Sequence, residues 1–258
     1  FFTFQQIAYL VDRYRGEKAS YTLLDYCLFV AFFPQLIAGP IVHHQTVLPQ
    51  FAKRRTFQFS ADCFAVGVTI FFIGLFKKVM LADQLAQHAN PVFDLAASGA
   101  TLTITEAWLG SLAYTFQLYF DFSGYSDMAI GLGRMLGVRL PINFNSPYKA
   151  TSIVDFWRRW HITLSAFLRD YLYIPLGGSR HGPVRRYTNL MLTMLLGGLW
   201  HGAGWTFIFW GLLHGVYLVI NHAWGALRKQ MGWHHLADSR SWRVAAFGLT
   251  FLGVLVGW

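Results

Sequence analysis

The stretch GGLWHGAGWTFIFWG, Gly197 to Gly211, carries one ionisable side chain, His201, in a run otherwise made of glycine, aromatic and aliphatic residues with a single threonine. An imidazole in so apolar a run is costly unless it faces a cavity or a partner. Gly197, Gly198, Gly202 and Gly204 crowd it, and glycine lets backbone or ligand come close. One reading is structural: a neutral imidazole hydrogen-bonds to a helix carbonyl. The other is chemical: histidine ionises near pH 6.5, so a neutral ring at that position suits a general base taking a proton from a hydroxyl.

The rest of the chain sets the frame for that histidine. Of 258 residues, 55% are hydrophobic, 18% aromatic and only 13% charged. Soluble domains carry about 25% charged residues, so this composition points to an all-α, multi-pass membrane protein. Candidate spans are Tyr21 to Val42, Ser60 to Phe76, Glu106 to Phe120, Asn189 to His201, Thr206 to His222, and a last one starting at Val244. A spanning helix needs about 20 apolar residues. Several of these runs are shorter, and many contain Gly or Pro, which predicts broken and re-entrant helices lining a cavity. The sequence opens at Phe1 in mid-pattern and closes inside an apolar run. We therefore expect one domain over residues 1–258 that is a piece of a longer protein.

The net charge of +9 comes from short clusters between apolar runs: Arg13/Arg15/Lys18, Lys53/Arg54/Arg55, Lys77/Lys78, Arg185/Arg186 and Arg228/Lys229. Such clusters suit loops held at a membrane surface, not a nucleic-acid face. Cys27 and Cys63 lie in separate apolar runs and read as buried free thiols. No metal site is expected: there is no H-E-x-x-H and no Cys/His grouping with zinc spacing. The pairs His43/His44 and His234/His235 could catch a metal adventitiously but read as loop.

Residues 141–188 combine aromatics, Arg and turn residues, the mixture of a membrane interface. Within them FWRRWHITLSAFLRDYLYIPLGG predicts a helix from Trp157 to Arg169 capped by Asp155 or Ser152. On it His161 and Ser165 share a face, as do Asp155 and Arg158. An interfacial amphipathic helix and a functional site are both compatible with that pattern. In YFDFSGYSDMAIGLGRMLG, Asp121 and Asp127 could pair with Arg134, orient an imidazole or sit at the interface. Gly131, Gly133 and Gly137 read as close helix packing, not as a dinucleotide fingerprint. His214, 13 residues after His201, would lie on the opposite face of one straight helix and reads as structural.

FPQLIAGPIVHHQTVLPQF (Phe33–Phe51), YFDFSGYSDMAIGLGRMLG (Tyr119–Gly137), NFNSPYKATSIVDFWRRWHITLSAFLRDYLYIPLGG (Asn143–Gly178) and LGGLWHGAGWTFIFWGLLHG (Leu196–Gly215) occur in that order. Together they resemble the membrane-bound O-acyltransferase superfamily. The nearest branch is that of alginate O-acetylation, and the teichoic acid D-alanyl transfer proteins are more distant. The resemblance implies a ring of tilted helices around a central tunnel in a bacterial inner membrane. It implies His201 as the catalytic histidine and His161 as its polar companion. An acyl thioester, acetyl-CoA or an acyl carrier, would enter from the cytoplasmic side. The acyl group would leave on a hydroxyl of an exported polysaccharide, with a periplasmic partner protein. On this reading His161 positions the donor or polarises its carbonyl. Arg158 and Arg159 could hold the donor's phosphates, since guanidinium forks match phosphate, although membrane anchoring explains them equally. No permanently bound cofactor is expected. A second reading keeps the chemistry and changes the cargo, to D-alanine from a carrier protein or a fatty acyl chain, and the reading that competes from another class is a transporter or channel with a polar permeation path.

Overall fold

Capping chemistry and Gly/Pro punctuation divide this chain into helices of very unequal length. The computed structural model describes residues 2–17, 21–36, 39–233 and 239–258, and they form α, 3-10 and π helices with no strand among them. They fall into two compact units, Phe1–Phe144 and Asn145–Trp258.

In the first unit the helices are α1 (Phe2–Tyr14), α2 (Leu23–Ala31), α3 (His44–Phe51), α4 (Ala61–Phe76), α5 (Asp83–Ala97) and α6 (Ile104–Met135). Capping boxes start two of them: Thr22 with Asp25 opens α2, and Thr103 with Glu106 opens α6. Each box satisfies backbone N–H groups that the first turn leaves without an intrahelical partner. The expected span Tyr21 to Val42 is broken. Helix α2 ends at Ala31, a 3-10 turn containing Pro34 follows over Phe33–Gln35, and the buried Gln35 Nε2 donates to Phe29 O at 2.7 Å. Around that break Phe29, Phe32, Val42, Val47, Leu48, Phe51, Val138 and Leu140 form the core of the unit. Gln50 ties the core to the chain after α6: its Nε2 donates to Arg139 O and its Oε1 accepts from Arg139 N, both at 2.9 Å.

The run Ser60 to Phe76 goes further than expected. Helix α4 passes through a π-helical turn, Lys77–Ala82, directly into α5, giving 37 helical residues over Ala61–Ala97. Its most apolar window is only 11% buried within the protein. Phe64, Val66, Phe72, Ile73 and Phe76 are exposed, as suits a helix that meets lipid. Helix α6 has 32 residues, about 48 Å at 1.5 Å per residue. It packs on α4 where glycines meet: a Cβ added at Gly67 would stand 2.7 Å from Gly131 O, and one at Gly131 would stand 2.6 Å from Gly67 O. Gly131 thus does the close helix packing expected of the motif, whereas Gly133 faces Leu140 and Val138, and Gly137 lies beyond α6 with φ 79° against Thr56 O.

Lys77 and Lys78 do not sit in a loop. Lys77 pairs with Asp127 at 2.5 Å, and Lys78 pairs with Asp83 at 2.6 Å and Asp121 at 2.7 Å. The two aspartates of α6 therefore find lysines of the π turn, not Arg134 or an imidazole. Cys27 is exposed and Cys63 half-buried, both free, so the expected burial of the thiols does not hold.

The second unit holds α7 (Ile153–Trp157), α8 (Ile162–Leu168), a π-helical turn Arg169–Tyr173, α9 (Gly182–His201), α10 (Trp205–Gln230) and α11 (Arg240–Gly257). Among the described residues two helical stretches are long and apolar enough to cross a membrane, Ala61–Ala97 and Trp205–Gln230.

Candidate functional site

The predicted helix Trp157 to Arg169 is two helices with a corner between them. Ser152 caps α7, its Oγ accepting from Asp155 N at 3.0 Å. The chain then turns at residues 158–161, and His161 takes a left-handed conformation, φ 43° and ψ 55°, just before α8. Non-glycine residues adopt this conformation uncommonly, and it is a strained state held by its surroundings. His161 is 1% exposed. Because it precedes α8, it does not share a helical face with Ser165 as expected; its carbonyl accepts from Ser165 N at 3.0 Å.

His201 is the last residue of α9. Gly202 to Gly204 break the helix, and α10 starts at Trp205 and packs back along α9. The packing is glycine-dependent: a Cβ at Gly198 would stand 2.3 Å from Phe207 O, and one at Gly211 2.5 Å from Met194 O. The turn places the His201 ring 4.9 Å from Trp210, edge to face, and 4.8 Å from Trp200. His161 and His201 are close enough to interact electrostatically.

Between α8, α9 and α10 lies a cavity of about 160 Å³. Trp157, Leu164, Leu168, Met194, Trp210 and Leu218 supply its apolar wall. Ser165, Thr193, Arg169 and His201 supply the polar groups. Thr193 Oγ1 is committed to Asn189 O at 2.7 Å, and Arg169 forks onto Asp170 at 2.6 and 2.9 Å. His201 is thus the one histidine on the wall, and its side chain stays accessible at the rim. An imidazole facing an apolar space of this size can exchange a proton with a small bound molecule.

The two arginines predicted to hold a donor are placed differently from each other. Arg159 Nε donates to Asp155 Oδ1 at 2.9 Å, so Asp155 pairs with Arg159 and not with Arg158. Arg158 is exposed. Neither lines the cavity; Arg169 does. Spacing could not reveal this, because the helix break at 158–161 and the π turn at Arg169 reset the faces.

His214 is fully buried, and neither ring nitrogen has a hydrogen-bond partner among the described residues. It lies in an aromatic box: Trp210 at 4.9 Å, Trp157 at 5.2 Å, Tyr217 and Trp258 at 5.8 Å. The straight-helix argument separated His201 from His214. The break at Gly202–Gly204 removes its premise, and both rings contact Trp210.

Residues 3–253 match the model of MBOAT, the membrane-bound O-acyltransferase family. A peptidoglycan O-acetyltransferase of Helicobacter pylori is 54% identical, the match covering 89% of this chain and 48% of that protein. A probable alginate O-acetylase of Pseudomonas aeruginosa is 51% identical over 100% of this chain and 47% of that protein. A teichoic acid D-alanyltransferase of Streptococcus thermophilus is 27% identical over 99% of this chain and 65% of that protein. The chain spans about half the length of the first two.

Proposed function

Because the chain belongs to the membrane-bound O-acyltransferase family, we propose that it is the catalytic part of a multi-pass O-acetyltransferase of a bacterial inner membrane. Residues 1–258 form one domain in the family's sense, supported by a match at 3–253 that runs through both compact units. The helices surround a tunnel in which donor and acceptor meet. The donor is an acyl thioester, acetyl-CoA or an acyl carrier. The acceptor is a hydroxyl of an exported or envelope polysaccharide, and a periplasmic partner completes delivery.

The observation that carries this reading is His201 on the wall of a 160 Å³ apolar cavity. Pockets for drug-sized ligands run to about 300–1,000 Å³. This one suits a short acyl group and not a fatty chain. In the proposed reaction His201 accepts the acceptor's hydroxyl proton as its oxygen bonds to the thioester carbonyl carbon. The C–S bond then breaks, and the thiolate takes the proton back. General base catalysis of this kind contributes typically 10²- to 10⁴-fold. His161, buried and within electrostatic reach of His201, positions the donor or polarises its carbonyl. The exposed Arg158 is the freer of the two predicted arginines to meet a donor phosphate, since Arg159 is engaged by Asp155.

The test is radiolabelled acetyl-CoA and a polysaccharide acceptor added to the full-length protein in detergent. Label appearing on the acceptor supports the assignment. Label that stays on the donor, with D-alanyl carrier accepted instead, shifts the cargo. Movement of solute across proteoliposomes without transfer would favour a transporter.

A further inference from the structure

Three groups from separate parts of the sequence meet in the first unit. Asp12 comes from α1, and His43 and His44 from the entrance of α3. One ligand atom from each lies within 4.8 Å of the others. His43 Nε2 stands 2.8 Å from Asp12 Oδ2, and the two imidazoles stack with centroids 4.6 Å apart. The sequence offered only the pair His43/His44; folding adds the carboxylate.

His44 is the informative member. It is fully buried, with Tyr9 and Tyr21 edge-on to its ring. Its Nε2 contacts Glu17 Oε2 at 2.6 Å. A carboxylate accepts, so Nε2 carries the proton and Nδ1 holds a bare lone pair. That Nδ1 has no hydrogen-bond partner among the described residues. A buried acceptor left unpaired is destabilising unless something fills it. A histidine whose far nitrogen is held by a carboxylate is also the usual arrangement behind a metal ligand, because the carboxylate fixes the tautomer and raises ligand basicity.

We propose that Asp12, His43 and His44 form a binding site for a divalent transition-metal ion such as zinc, with Glu17 orienting His44 from behind. Two imidazoles and one carboxylate are a ligand set that zinc accepts, leaving a fourth position for water. Bonds of 2.0–2.2 Å need tetrahedral ligands roughly 3.3 Å apart, so from a spread within 4.8 Å the group closes by up to about 1.5 Å at its widest side. Arg15 approaches the other oxygen of Asp12, Oδ1, at 4.0 Å. Binding through His43 Nε2 moves that ring's proton to Nδ1. It therefore ends the 3.3 Å hydrogen bond by which His43 Nδ1 caps Gln45 N. The ion would lock α1 to the start of α3.

The test uses full-length protein in detergent, stripped with chelator and titrated with Co²⁺. One equivalent should give visible d–d bands of four-coordinate intensity, which Zn²⁺ displaces. Glu17→Gln should keep the bands and weaken affinity roughly 10- to 100-fold. His44→Ala should lose them. Asp12→Asn keeps a hydrogen-bonding group beside His43, so it decides the matter if His44→Ala fails to insert. Gel filtration in chelator verifies folding. No bands at one equivalent, or bands unchanged in both ligand variants, would overturn the site and leave two hydrogen-bonded histidine–carboxylate pairs.

Discussion

Trp210 stands between two histidines of different helices: its ring lies 4.9 Å from His201 and 4.9 Å from His214. His201 ends α9, so the Trp210 indole of α10, together with Trp200 at 4.8 Å, limits how the catalytic candidate can swing. Truncation to Ala removes this stop and enlarges the cavity. Trp210→Ala should lower acetyl transfer by about 10- to 100-fold through misplacement of the ring, mostly in kcat, while Trp210→Phe retains most activity. Steady-state kinetics on membranes adjusted for expression decides it, and an Ala variant at wild-type kcat would remove the positioning role.

His201→Ala should cut transfer by 10² or more with the protein still inserted. His161→Ala needs a different reading, because the residue also holds a left-handed corner. Asn tolerates that conformation better than most residues. His161→Asn should therefore retain thermal stability yet lose activity. Equal loss of both would mark His161 as a corner residue only.

Transfer should fall in acid. A base must be neutral to accept a proton, so transfer is lost as the His201 ring takes one up. The rate should rise with pH through one step and then level off. Single-turnover rates from pH 5 to 8, with folding checked at each point, measure this; a flat profile would speak against His201 as base.

Gly198→Ala should destabilise without touching the chemistry directly. Its methyl would meet Phe207 O at 2.3 Å, a backbone atom that cannot rotate away. Overpacking of this kind costs about 1–3 kcal/mol. The apparent Tm in detergent should fall by several degrees. A Tm equal to wild type would mean α9 and α10 pack more loosely than described.

Lys77 and Asp127 should behave as a unit. Replacing one leaves the other charge between helices, half-buried at 24% and 27% exposure. Lys77→Met and Asp127→Leu should each destabilise, and the double variant should be less destabilised than the sum by at least about 0.5 kcal/mol. Additive losses would show that the pair contributes nothing beyond its separate parts.

The sequence revealed helices well where apolar runs and caps agree, as at Ser60–Phe76 and Thr206–His222. It failed where continuity or its loss depends on tertiary context. Lys77 and Lys78 read as a loop because two adjacent cations rarely continue an apolar helix; Asp83, Asp121 and Asp127 make that possible, and Asp121 and Asp127 lie on another helix. The Trp157–Arg169 helix read as continuous because nothing in RRWH forbids α geometry. His201 was legible from its glycines and apolar flanks. Arg169 on the cavity wall was not, since its direction depends on a π turn. Asp12 beside His43 was invisible at 31 residues' separation.

The π turn at Lys77–Ala82 has a consequence for how this chain tolerates insertion and deletion. A π turn accommodates one more residue than α geometry would, and one residue corresponds to about 100° of rotation. The turn thus works as a phase absorber: the extra residue is taken up within it, and α5 keeps the azimuth that an unbroken α-helix would give it. Removing a single residue there would restore plain α geometry and leave Val92 facing Gly110, where a Cβ on the glycine would stand 2.6 Å from Val92 Cγ1. Removing a single residue between Asp83 and Val92 has no such slack and would turn Val92 away from Gly110 by about 100°. The apparent Tm in detergent would register the difference: the first deletion should cost less than the second, and equal losses would show that the turn absorbs nothing.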